Sequence, residues 1–192
     1  HTPFSGADPK EVLDKIVPKY YHRYNADGTV ANSTCCSNTA TENKMMAKLM
    51  IDSVANWASA YKLDGFRFDL MGHQPKAVML DLQTKVNAAA GRPLYYYGEG
   101  WNFGEVADDK LFVQATQKNM AGTGIGTFSD RARDSIRGGG PFDSGLWHLK
   151  NQGFINGLFY DDNGSGSGAT VANLNSTADM VRLGFAGTLK DY

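Results

Sequence analysis

Asp69 and Glu99 are the residues of this 192-residue chain whose types and surroundings best suit covalent chemistry. Each closes a short run that reads as a β-strand. Leu63-Asp64-Gly65-Phe66-Arg67-Phe68-Asp69-Leu70 alternates, with Phe66, Phe68 and Leu70 on one face and Arg67 and Asp69 on the other. Leu94-Tyr95-Tyr96-Tyr97-Gly98-Glu99 reads as a second strand. A helical stretch lies between them, so the strands are expected to run parallel. Their carboxyl ends then form the edge at which α/β folds build sites. Neighbouring strands lie ~4.8 Å apart. Two carboxylates on adjacent ends can therefore face each other at ~5–5.5 Å, the spacing of a pair that cleaves a glycosidic bond with retention. One member must stay ionised as nucleophile, and the other must hold a proton for the leaving oxygen. Arg67 shares the face of Asp69 and would favour its ionised form. Glu99 sits among Gly98, Gly100, three tyrosines and Trp101, an aromatic setting that raises a carboxyl pKa and suits a general acid. Trp101 offers a flat apolar face for a sugar ring. The structural alternative stays open at this point, because strand-end carboxylates also cap helices and pair with arginines.

The elements that position these residues follow from periodicity. Residues 1–40 read as a loop, opened by Pro3, Ser5, Gly6, Asp8 and Pro9 and carrying a turn cluster at Asn25, Asp27 and Gly28. Thr39 and Glu42 have capping-box spacing. After them Met45, Met46, Leu49, Met50, Val54, Trp57 and Tyr61 recur at helical intervals and predict a buried stripe. A second helix is expected from Pro75, with Val78, Met79, Leu82, Val86 and Ala89 inward and Gly91 as its end. Thr123 to Phe128 reads as a third strand, Arg137 to Gly168 as a long loop excursion, and Ser176 as the cap of a last helix carrying Met180 and Leu183. Strand–helix alternation places the chain in the α/β class.

Composition excludes several functions. A 42% hydrophobic and 20% charged chain with net charge −1 is ordinary for a soluble protein, and neither disordered nor a basic nucleic-acid binder. It has no apolar run long enough to span a membrane. No metal-ligand spacing appears around Cys35-Cys36, which read as free thiols or as a strained vicinal bridge. Asp161-Asp162-Asn163-Gly164 reads as a solvated turn in preference to a calcium loop, since the further spaced ligands are missing. Gly138-Gly139-Gly140 lacks the ending of a phosphate loop and reads as a turn. His73 either lines the cleft after the nucleophile strand or packs, and Asp130 either reaches substrate or pairs with Arg131 or Arg133.

Three literal strings add a resemblance. Leu63 through His73, Tyr95-Tyr96-Tyr97-Gly98-Glu99-Gly100-Trp101, and Gly122 through Asp143 resemble, in this order, segments of the α-amylase superfamily, glycoside hydrolase family 13. More narrowly they resemble the type I pullulanases and limit dextrinases. The resemblance implies that 1–192 is part of one catalytic (β/α)8 TIM barrel, roughly from the end of strand 3 to helix 6. It implies a parent enzyme that hydrolyses α-1,6-glucosidic bonds in pullulan, amylopectin and limit dextrins by double displacement. Asp69 would be nucleophile, Glu99 acid/base, Arg67 the group that positions Asp69, and Trp101 a sugar contact. His1, with Thr2, matches the end of the family's Asn-His-Thr motif and would contact the sugar. His73 and Asp130 join the substrate-binding set. The family's third carboxylate, an Asp in a His-Asp motif, has no match here, since Asp191 lacks that context. An isolated segment without activity, or isoamylase or α-amylase specificity, is the alternative. No cofactor is required by the resemblance, although calcium is allowed in the parent. The expected parent is a secreted or cell-surface bacterial monomer, with no nucleic-acid partner. Similar secreted sequences carry the Cys-Cys pair, which leaves both the rigidifying bridge and the free thiols open.

Overall fold

The computed structural model describes residues 12–33, 36–161, 163 and 169–187. His1, Cys35, Asp162, Gly164 and Asp191 lie outside the described residues, and so do the sugar contact, the bridge, half of the calcium-loop string and the Asp191 comparison. The chain divides into two compact units, His1–Phe128 and Ser129–Tyr192.

In the first unit the two strand runs form β1 (Gly65–Phe68) and β2 (Tyr95–Gly98), and the third expected strand shortens to β3 (Gly126–Thr127). The three make one parallel sheet in the order β1-β2-β3, with Phe68 opposite Gly98 and Gly98 opposite Thr127. Before the sheet lie a single helical turn, α1 (Leu13–Ile16), and the long helix α2 (Lys44–Ala60). Helix α3 (Lys76–Ala90) makes the crossover between β1 and β2 and packs on α2. Residues 1–40 were expected to be loop. The described part adds α1 and a set of antiparallel bridges, His22–Thr39, Tyr24–Val30 and Asn32–Ser37, that fold it back on itself.

The core lies between the helices and one face of the sheet. Met79, Leu82 and Val86 of α3 are completely buried, together with Ile51 and Ala58 of α2, Met71, Tyr96 and Ile125. Phe66 and Phe68 pack against them. Gly91 ends α3 in the left-handed conformation at φ 69°, donating to Ala88 and Asn87, as its type predicts. Val78 is half-buried and Ala89 exposed, so the buried face of α3 is narrower than the periodicity suggests. Two further expectations are corrected. Thr39 and Glu42 do not cap α2, whose N-cap is Asn43, because the Glu42 carboxylate is taken by Arg23 at 2.8 Å. The α2 stripe is buried at Met46, Ile51 and Ala58 and half-buried at Met50 and Val54, while Met45, Leu49, Trp57 and Tyr61 stay exposed.

In the second unit α4 (Asp130–Arg137), the single turn α5 (Trp147–Lys150) and α6 (Val171–Phe185) alternate with turns. Helix α4 packs on α6. They pack so closely that a Cβ on Gly184 would lie 2.0 Å from the Cβ of Ala132. The cap of α6 is Thr170 and not Ser176, which falls inside the helix. Thr170 and Asn173 complete a reciprocal capping box that satisfies the first-turn donors. Gly138 and Gly139 take positive φ in the expected turn.

Candidate active site

Asp69 and Glu99 stand one residue beyond the ends of β1 and β2. Parallel pairing of Phe68 with Gly98 brings the two side by side. Arg67 bridges them. Its Nη1 donates to Asp69 Oδ1 at 2.8 Å and its Nη2 to Glu99 Oε1 at 2.6 Å. Strand alternation alone places Arg67 beside Asp69 and does not show its bond to Glu99. The guanidinium also lies over the Phe128 ring, 5.8 Å from its centroid, and Phe128 makes an edge contact with Tyr97. A planar cation with forked donors suits this double role in a way that an ammonium does not.

The two carboxylates differ in exposure, and this difference separates their chemistry. The Asp69 side chain is 51% exposed and that of Glu99 13%. Burial raises the Glu99 carboxyl above the ordinary glutamate range, and the hydrogen bond and negative charge of Asp69 raise it further. The Leu70 N–H and Arg67 oppose the rise. Glu99 is therefore the carboxyl suited to carry a proton.

The chain around Glu99 leaves little freedom. Glu99 N–H donates to Phe68 O at 3.2 Å. Leu70 adopts the left-handed conformation (φ 43°, ψ 48°), and its N–H donates to Glu99 Oε2 at 2.8 Å. The flanking glycines are steric requirements. A Cβ at Gly98 would lie 2.5 Å from Phe68 O, and one at Gly100 would lie 2.6 Å from Gln117 N. The Gly-Glu-Gly string, common in itself, is thus the packing solution for a glutamate set between two strand ends.

The remaining expected residues separate. Trp101 is half-buried two residues after Glu99 and contacts the Phe103 ring at 6.5 Å. His73, read from the sequence as cleft-lining or packed, is packed. It is 2% exposed, its Nε2 lies 2.9 Å from Ser33 Oγ, and its ring meets Phe103 edge-on at 4.8 Å. Burial lowers its pKa. Asp130 belongs to the second unit, where its carboxylate pairs with Arg133 at 3.1 Å, the partner weighed against substrate.

A charged cluster that periodicity could not reveal lies behind the site. Arg23, 4% exposed, pairs with Glu42 and with Glu105, both at 2.8 Å, and donates to the His73 carbonyl at 3.0 Å. Burial alone would raise the Glu105 carboxyl. Hydrogen bonds from Arg23, Ser33, its own backbone and Asn38 outweigh burial and hold it down at about 2. No group of three or more His, Cys, Asp or Glu side chains placed to hold a metal occurs among the described residues. No helix among them is long and apolar enough to cross a membrane.

Known proteins resemble this chain throughout. It is 48% identical over 203 residues to "Pullulanase 1, chloroplastic" of Arabidopsis thaliana, covering 100% of this chain and 21% of that one. It is 48% identical over 202 residues to the pullulanase of Klebsiella pneumoniae, covering 100% of this chain and 17% of the relative. The chain is pullulanase-like along its whole length. The crystal structure of PulA from Klebsiella oxytoca superimposes with a TM-score of 0.83 at 46% identity, over 96% of this chain and 17% of that one. Klebsiella pneumoniae pullulanase complexed with maltotriose superimposes with a TM-score of 0.83 at 44% identity, again over 96% and 17%. No family model matches the chain. It spans about a fifth of the length of the curated pullulanases it matches.

Proposed function

We propose that this segment supplies two catalytic carboxylates to a pullulanase-type glycosidase that hydrolyses α-1,6-glucosidic bonds in pullulan, amylopectin and limit dextrins. The observation that carries the reading is the Arg67-bridged pair, one carboxylate exposed and the other half-buried, on neighbouring parallel strand ends. Asp69 attacks the anomeric carbon while Glu99 delivers its proton to the leaving oxygen. Glu99, now ionised, then draws a proton from water as the glycosyl–Asp69 bond is hydrolysed, and configuration is retained. Arg67 holds both groups in register. Trp101, beside Glu99, offers a stacking face to a glucose ring. His1 is proposed as a further sugar contact.

The wider proposal is that β1, β2 and β3 are consecutive strands of a (β/α)8 barrel, with 1–192 running from the end of strand 3 to helix 6. The maltotriose bound by the Klebsiella pneumoniae relative supports an α-glucan ligand. The test uses a full-length pullulanase carrying this segment. Asp69→Asn and Glu99→Gln should each lower pullulan hydrolysis by about 10³-fold or more, on the scale of lost catalytic groups. Near-normal hydrolysis by Asp69→Asn would overturn the nucleophile assignment. Maltotriose as the product from pullulan separates α-1,6 cleavage from α-amylase action. The 192 residues alone are proposed to lack turnover, and any pullulan hydrolysis by the purified segment that depends on Glu99 would refute this.

A further inference from the structure

The Glu99 side chain is held by a turn and not only by its own strand. The chain reverses at Leu70 into a single 3-10 turn, Met71–His73. This turn grips Glu99 twice. Leu70 N–H donates to the carboxylate at 2.8 Å, and Gly72 N–H donates to the Glu99 carbonyl at 2.8 Å. No side chain fits at Gly72, where a Cβ would lie 2.1 Å from Trp101 O. The turn's own carbonyls are in turn held by two buried side chains from elsewhere. Gln114, fully buried, donates from Nε2 to Gly72 O at 2.8 Å. Arg23 donates from Nη2 to His73 O at 3.0 Å. Each is itself fixed: Gln114 by reciprocal bonds with Asp109 at 2.8 and 3.2 Å, and Arg23 by Glu42 and Glu105.

We propose that Gln114 and Arg23 are positioning residues for the Glu99 carboxyl, acting through the Met71–His73 turn. The proposal rests on the reading of Glu99 as the proton donor. Both side chains bond carbonyls at the end of the turn, so losing either loosens the turn from which the Leu70 N–H reaches the Glu99 carboxylate and the Gly72 N–H reaches the Glu99 carbonyl. Acid catalysis depends steeply on that aim, because the proton must meet the leaving oxygen within hydrogen-bond reach.

The test compares two substrates in a full-length pullulanase carrying this segment. Pullulan needs a proton on its leaving sugar. α-Maltotriosyl fluoride does not, since fluoride departs without general-acid help. Gln114→Met keeps length and apolar packing but removes the donor to Gly72 O. Arg23→Lys keeps the charge facing Glu42 and Glu105 but loses the forked reach to His73 O. For either folded variant, kcat/KM on pullulan should fall about 10-fold or more while kcat/KM on the fluoride stays within about 3-fold, with melting temperature measured alongside. Equal losses on the two substrates, or no loss on pullulan, overturn the proposal, and one folded variant is sufficient to decide. Glu99→Gln is run in parallel. If Glu99→Gln itself fails to spare the fluoride, the proton-donor reading has failed; if it spares the fluoride and the two variants do not, only the positioning proposal has failed.

Discussion

At the scale of single residues, the site is an arginine shared by two unequal carboxylates. Arg67 lowers the Glu99 pKa by its charge, whereas burial and Asp69 raise it. Glu99 must be protonated to act as acid, so activity should be lost as pH rises through its raised pKa, and the basic limb of kcat/KM should lie above the ordinary glutamate range. Replacing Arg67 by Met removes the opposing cation. The basic limb should then move to still higher pH, while the rate falls by about 10²-fold or more because both carboxylates lose the guanidinium that bridges them. A pH–rate profile of the two proteins checks both statements. A basic limb that moved downward would remove Arg67 from the pair.

At the scale of elements, close backbone approach and capping decide which positions tolerate change. Gly98 and Gly91 illustrate the contrast. At Gly98 a Cβ would strike Phe68 O and the Met71 side chain, so Gly98→Ala should cost about 2 kcal/mol or more through forced separation of β1 and β2. At Gly91 nothing lies within 4 Å, and Gly91→Ala should cost only the positive-φ strain, about 1 kcal/mol. Helix α6 gives a second contrast. Thr170→Ala should cost about 1 kcal/mol, whereas Ser176→Ala, inside the helix, should change stability by no more than about 0.5 kcal/mol. Chemical denaturation of the four variants measures these differences, and equal effects of Thr170→Ala and Ser176→Ala would return the cap to an open question.

At the scale of the whole molecule, charges distant in sequence tie the first unit together. Arg23, Glu42 and Glu105 come from three segments and meet with Arg23 almost fully buried. The Glu105 pKa is depressed from an ordinary value of 4.5 to about 2. Its stabilising contribution is therefore fully present above pH ~4.5 and is lost as pH falls towards ~2, and it amounts to on the order of 2–3 kcal/mol after partial solvent screening. Glu105→Gln should flatten the acid side of the stability–pH curve. Arg23→Met should destabilise by about 3–5 kcal/mol, because it leaves two carboxylates without their shared cation. The exposed apolar residues act at the same scale. Trp57, Tyr61 and Tyr95, the last 81% exposed, leave apolar surface on both α2 and the sheet. Trp57→Glu with Tyr95→Lys should raise the solubility of the isolated segment and lower its binding of apolar dyes.

The sequence by itself determined the strand–helix–strand order, the Met79, Leu82 and Val86 seam of α3, its stop at Gly91 and the placing of two carboxylates at parallel strand ends. These are set by short-range periodicity and by residue types with strong local preferences. Tertiary structure alone decided which half of the α2 stripe is covered, that Glu42 bonds Arg23 and does not cap a helix, and that His73 packs in the interior. It also decided that Arg67 serves both carboxylates and that Leu70, through a left-handed turn, aims its N–H at Glu99. Each of these depends on a partner far along the chain, and spacing carries no record of such partners. The raised pKa of Glu99 was legible only in outline, because desolvation is a property of the packed surroundings and not of the residue.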